Sequence, residues 1–193
     1  MTMSFTSKIA AAAFMLSLML TSCGDSENEV VSGYKEISLE QVGYDLYVPE
    51  EWIVDSQTSY TSAHRGDRDP SSISVMAHNL TTDTNYSAYA DYWKSNCEDQ
   101  LKQMFPDITY ERECSPYILA MNPDQEAVEY IYTVTVDHGT DAEGNELKVK
   151  YKHQQILVKR DATIYTLTFT ATEAMYDDAI EEVTAIWNNV VFH

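Results

Sequence analysis

Carboxylates, lysines, thiols and imidazoles are the groups of this chain that could do chemistry, and many of them crowd into one stretch. Asp137-His138-Gly139-Thr140-Asp141-Ala142-Glu143-Gly144-Asn145-Glu146 sets acids at near-alternating positions ahead of a glycine. Asp137, Asp141 and Glu143 are therefore candidate metal ligands, because calcium takes hard oxygen donors on a sharply turning loop. The fit is partial. No Asp or Asn stands at the third position, no Glu at the twelfth, and the segment joins two strands. The same composition suits a hairpin tip rich in turn formers. Lys148, Lys150 and Lys152 follow at alternate positions, so a strand sets them on one face, with Lys159 and Arg160 at its far end. In a chain with 12 basic residues, that face could receive an acidic ligand or a partner's carboxylates. It could equally be a solvated face balanced by acidic helices, or an edge guarded by lysines.

Cys97 and Cys114 could close a loop of under about 20 residues in an oxidising compartment, worth about 3 kcal/mol. Cys97 is expected on a helix that ends near Phe105, and Cys114 on the strand returning from it. Eight helical residues rise about 12 Å and seven strand residues about 23 Å, so the sulfurs could also overshoot one another. None of the 5 histidines pairs with another at metal-ligand spacing. His64 reads as a loop residue, His78 as a strand residue, and His138 and His153 as residues of a long meander. Arg65-Gly66-Asp67 is the tripeptide of integrin ligands, too short a string to carry a function alone. There is no G-x-S-x-G, H-E-x-x-H, C-x-x-C, G-x-G-x-x-G or Walker sequence, and no clustered Ser/His/Asp set. No cofactor is implied. A non-catalytic binding module follows, with a hydrolase whose His and acidic groups come from distant segments, or a structural component of an envelope complex, as the alternatives.

Charge narrows the partners. The formal net charge is −19, which opposes nucleic acid, whose binding rests on Lys and Arg neutralising phosphates. It also opposes docking on anionic lipid headgroups, which attract basic segments. The 14 tyrosines fall mostly in segments that read as strands or helix faces, where β-propensity and core filling account for them.

The N-terminus assigns a location. Lys8 supplies a positive flank and Ile9 to Leu20 an apolar run of about a dozen residues, the plan of an export signal. A bilayer span needs roughly 20 apolar residues. The run closes on Leu20-Thr21-Ser22-Cys23, which resembles the lipobox of bacterial lipoproteins. The resemblance implies lipid transfer to the Cys23 thiol, cleavage before it, and a mature chain held on the extracytoplasmic side of the cell membrane by acyl chains. Three segments follow: a signal over 1–22, a lipidated cysteine with an acidic tether over 23–33, and one globular domain over 34–193. The polar tether reaches about 33 Å when extended, so the domain is expected to stay close to the membrane.

Within the domain, Tyr34 to Leu39, Gly43 to Pro49 and Ile53 to Tyr60 read as short strands, and His64 to Ser72 as a polar loop. Ile73, Val75 and Ala77 alternate with Ser74, Met76 and His78. Tyr86, Tyr89, Trp93, Cys97, Leu101 and Met104 recur at spacings of three and four, the stripe of an amphipathic helix that Phe105-Pro106 ends. Ile108 to Cys114 returns as a strand. Three long strands follow. Val128, Tyr130, Tyr132, Val134 and Val136 share one face, Leu147 to Arg160 forms the partner, and Tyr165, Leu167 and Phe169 point inward opposite Thr166, Thr168 and Thr170. A last helix carries Tyr176, Ala179, Ile180, Val183 and Trp187 on one side, and Val190-Val191-Phe192 closes as a short strand or docked tail. The order predicts an α+β fold, an antiparallel sheet flanked by helices.

Tyr44-x-Leu46-x-Val48-Pro49-x-x-Trp52 and the closing Tyr165-x-Leu167-x-Phe169 with Tyr176, Ile180 and Val190-Val191-Phe192 resemble the PsbP/Mog-like superfamily. The resemblance implies an α/β/α sandwich over nearly the whole domain. It carries no functional residue, because the matching motifs are structural. An envelope protein partner and the membrane, through Cys23, are the expected contacts.

Overall fold

Alternation of β-branched and aromatic residues between 126 and 172 builds the three long strands that it predicts, and the rest of the sheet assembles on them. The computed structural model describes residues 32–38, 43–55, 60–66, 69–80, 93–118 and 126–193, the side chains at 95, 96, 112–118 and 126 excepted. Its strands are β1 (Tyr34–Glu36), β2 (Tyr44–Asp45), β3 (Tyr47–Pro49), β4 (Ile53–Asp55), β5 (Thr61–Gly66), β6 (Asp69–Asn79), β7 (Thr109–Ile118), β8 (Glu126–Thr140), β9 (Glu146–Arg160), β10 (Thr163–Thr172) and β11 (Val191–Phe192). A π-helical segment, Lys94–Glu98, leads into α1 (Asp99–Met104), and α2 spans Glu173–Asn188. Seven strands form one sheet in the order β4-β5-β6-β10-β9-β8-β7, with every neighbouring pair antiparallel. Two small ladders, β1 with β3 and β2 with β11, complete the strand pairing.

Because side chains alternate across a strand, the sheet has two unlike faces. On one, Ala63, Ile73, Val75, Ile156, Val158, Leu167 and Phe169 pack beneath Tyr176, Ala179, Val183, Ile186 and Trp187 of α2. On the other, Val128, Tyr130, Tyr132, Val134, Leu157 and Ile164 gather around Trp93, whose ring stacks on Tyr130 at 4.0 Å. The Pro49-x-x-Trp52 element ties the small ladders to α2. The Trp52 backbone N–H donates to the Pro49 carbonyl, and its buried indole Nε1–H donates to Glu182 at 2.6 Å. Gly43 closes this corner with φ +76°, and a Cβ there would lie 2.5 Å from the Tyr165 hydroxyl. Only glycine fits both constraints.

Several boundaries differ from the sequence-based expectation. Of the polar stretch His64 to Ser72, residues 64–66 belong to β5 and 69–72 to β6, which pair antiparallel with Gly66 opposite Asp69; Gly66 takes φ +136° and Arg65 pairs with Asp69 at 2.8 Å. Gly43 to Pro49 divides into β2 and β3, which pair with different partners on either side of buried Leu46. Met104 lies 63% exposed although its spacing placed it on the buried helix stripe, since α1 ends there. Ala77 is likewise exposed near the end of β6, and β7 continues past Cys114 to Ile118.

Candidate functional site

Register turns the face opposite α2 into aligned rows. Asp55, Ser62, Ser74, Thr168, Gln155 and Tyr130 stand directly opposite one another across β4, β5, β6, β10, β9 and β8. The next row is Ile53, His64, Ser72, Thr170, His153 and Tyr132. A third runs Met76, Thr166, Leu157 and Val128. Each row is aromatic or aliphatic at β8 and carries a threonine at β10; the first two carry a serine at β6, where the third carries Met76. Directly opposed side chains lie about 4.5–5.5 Å apart at Cβ, so the hydroxyls form a grid.

Gln155 marks the boundary between the two halves. Its Oε1 accepts the Trp93 indole N–H at 2.7 Å, and its Nε2 donates to Thr168 at 3.4 Å. His153 lies flat on Tyr132, with ring centroids 4.9 Å apart, and its Nδ1 bonds Thr170 Oγ1 at 2.9 Å. Burial lowers the His153 pKa to about 4, so the ring is neutral at physiological pH. Beyond this boundary the face turns polar, and Ser62 on it is only 7% exposed. Ser72, Ser74 and Thr166 are half-buried and make no side-chain hydrogen bond among the described residues, and Met76 is 53% exposed.

At the far edge, register brings together three groups that the sequence left apart: Asp55, Ser62 and His64. The Ser62 hydroxyl donates to Asp55 Oδ2 at 3.0 Å, and His64 Nε2 lies 3.9 Å from Asp55 Oδ1. A nucleophilic serine needs the imidazole as its base and the carboxylate behind the imidazole. Here the carboxylate occupies the middle position. It accepts the hydroxyl's hydrogen bond, and the imidazole meets the carboxylate instead of the serine.

The residues singled out from sequence distribute differently. Lys148, Lys150 and Lys152 share the α2 face of β9, and each meets a carboxylate: Glu146 at 2.7 Å, Glu173 at 3.7 Å and Glu111 at 2.7 Å. Lys152 also sits 4.4 Å above the Tyr176 ring. The hydrogen bond that Lys148 donates to Glu146 raises the lysine's pKa. Asp141 is spent on its own turn, accepting the Glu143 and Asn145 backbone N–H groups and the Asn145 side chain. Those bonds, Asn145 foremost, lower its pKa. Asp137 likewise accepts the Gly139 N–H at 2.8 Å. Among the described residues, no group of three or more His, Cys, Asp or Glu side chains is placed to hold a metal.

Cys97 is a half-buried free thiol on the Trp93 cluster, and burial raises its pKa. The Cys114 side chain, Cys23 and the tether up to residue 31 lie outside the described residues. Arg65 is engaged by Asp69 and by Glu182 of α2. Burial works to raise the Asp69 pKa, but hydrogen bonds from Ser71 and the Arg65 charge outweigh it and hold that carboxyl low. Ser62, Ser72, Ser74 and Gln155 escaped the sequence reading. The available signal was that β6 carries polar residues at alternate positions, as β10 does at Thr166, Thr168 and Thr170.

The fold has solved counterparts. The chain is similar to the cyanobacterial PsbP of Synechocystis sp. PCC 6803, with a TM-score of 0.58 and 14% identity over 90% of this chain and 99% of that one. It is similar to the Ran-binding protein Mog1p of Saccharomyces cerevisiae, with a TM-score of 0.53 and 10% identity over 82% of this chain and 95% of that one. LpqN of Mycobacterium tuberculosis, involved in cell envelope biogenesis, gives 0.51 and 13% identity over 82% and 89%. No family model and no curated protein matches the sequence. The fold is the PsbP/Mog1-like α+β arrangement, a mostly antiparallel sheet with two α-helices among the described residues.

Proposed function

We propose that the chain is a lipoprotein held on the extracytoplasmic face of the cell membrane by acyl chains on Cys23, and that its domain is a non-catalytic binding module. The observation that carries the binding reading is the hydroxyl-lined half of the sheet face: among the described residues, nothing is bonded to the half-buried side chains of Ser72, Ser74 and Thr166. Half-buried hydroxyls can exchange water for the donors and acceptors of an occupant. The hydrolase alternative loses ground on geometry, because Asp55 stands between Ser62 and His64. Likeness to PsbP, Mog1p and LpqN supports a binding or regulatory role for a domain of this shape. Among the described residues no helix is long and apolar enough to cross a membrane.

Two measurements test the two halves of this reading. Cells fed an alkyne-bearing palmitate should label the chain, and Cys23→Ser should lose the label and appear in the soluble extracytoplasmic fraction. A membrane-bound Cys23→Ser chain would refute the anchor. A photo-crosslinking residue at position 74 should capture an occupant in intact cells, while one at position 181, exposed on α2, should not. Equal capture at both positions, or none at either, would refute the binding face.

A further inference from the structure

We infer that Cys97 and Cys114 join in a disulfide that clamps the helical segment after Trp93 to strand β7. Of the function proposed above, this rests only on export to an oxidising compartment; the binding face is not involved. Two bulges in β7 bring the cysteines level. Tyr110 stands opposite Tyr132 and Arg112 opposite Ile131, so residue 111 is extra. Ser115 then stands opposite Glu129, which leaves positions 113 and 114 together opposite Tyr130. From Thr109 to position 114, five residues of β7 therefore pass three of β8, about 10 Å where a regular strand covers about 17 Å. The overshoot that uniform helix and strand lengths imply shrinks accordingly.

Tyr130 is the common neighbour. Trp93 stacks on its ring at 4.0 Å. Cys97, in the π-helical segment Lys94–Glu98, packs against the same cluster of Trp93, Tyr130 and Tyr132. Burial, and after it the nearby Cys97 thiol, raise the Tyr132 pKa, so Cys97 sits at the level of Tyr130 and Tyr132. Position 114 reaches that level from the neighbouring strand. A disulfide needs Cα atoms within about 7 Å, and a bulge bends its strand locally, here at the cysteine itself. The structure shows Cys97 as a thiol, the reduced form. Oxidation proceeds by exchange with a small-molecule or protein disulfide. The two cysteine thiols give up two protons and two electrons, and the exchange partner's disulfide becomes two thiols.

The test uses the full chain. Protein from cells is denatured in N-ethylmaleimide and digested with trypsin, which cuts at Lys102 and Arg112 between the two cysteines. Its peptides are mapped by mass spectrometry with and without reductant. A second sample is reduced, freed of reductant and held with oxidised glutathione before the same mapping. Both samples should give one linked pair of peptides carrying residues 97 and 114, with the two cysteines labelled only after reduction. Reduction should also lower the thermal midpoint by about 6–12 °C. Cys97→Ser and Cys114→Ser should each melt near the reduced parent and lose the response to reductant. Labelling of both cysteines in the glutathione-treated chain, a link from Cys23 to either, or a parent midpoint indifferent to reductant overturns the inference. If glutathione links the pair while the chain from cells carries free thiols, the pairing stands and the export reading falls.

Discussion

Thr168 and Phe169 are neighbours in β10, yet they belong to different regions of the molecule. Phe169 is wholly buried under α2, against Tyr176 at 5.0 Å. Thr168 faces the opposite way, into a row that continues through half-buried Ser74 to Ser62. One face is mainly apolar under α2, with Gln154 bonded to Glu129 and Trp187 inside it; the other is apolar beneath Trp93 and polar across β10, β6 and β5. The same strands therefore supply both stability and a surface, and the period of two keeps the two duties apart. Substitutions one residue apart should separate them.

The largest effect is expected on the closed face. Phe169→Ala should cost about 3–5 kcal/mol in urea unfolding, the usual penalty for a cavity at a buried aromatic. A loss under about 1 kcal/mol would mean that α2 does not seal that face. Next comes His153, at the hinge between the aromatic and polar halves. Its folded pKa of about 4 lies below the unfolded value, so between pH 6.5 and 4 the unfolded chain binds the extra proton. The stability due to neutral His153 is complete above pH 6.5 and lost as pH falls to 4, by about 3 kcal/mol. His153→Gln should flatten that part of the difference curve against the parent chain. An unchanged pH dependence would place the ring in water.

A smaller loss is expected where the two sheet corners are fastened to α2. Glu182 accepts both the Trp52 indole and Arg65. Glu182→Ala should cost about 1–3 kcal/mol, because both donors lose their partner, and should shift Trp52 emission. An unaltered spectrum and midpoint would show that the Pro49–Trp52 turn holds without it. Smallest of all is Thr168→Val, expected within about 0.5 kcal/mol of the parent while weakening any ligand on the hydroxyl-lined face. A Thr168→Val penalty as large as that of Phe169→Ala would erase the distinction between the faces.

Legibility followed the length of each pattern. β8, β9, β10 and α2 announce themselves through sustained periods of two and of three to four, which only one burial arrangement satisfies. The short elements do not. β2 and β3 read as one strand because nothing in Tyr44-Asp45-Leu46-Tyr47 says that each half pairs elsewhere. The β5–β6 hairpin read as a loop because its residues are polar, and its order comes from Arg65 meeting Asp69 and Glu182, the latter 117 positions away in sequence. The lysine face was visible as a pattern, but its partners Glu111 and Glu173 lie on other elements.

By itself, the sequence determined the α+β class, the three-strand meander, the second helix and the inward set of β10, since local periodicity and burial are properties of a segment. It also carries the lipobox-like Leu20-Thr21-Ser22-Cys23. The rows were decided by tertiary structure alone. Asp55, Ser62, Ser74, Thr168 and Gln155 become neighbours only when five strands take one register, and register depends on pairings between segments up to about 100 residues apart, which no local pattern encodes.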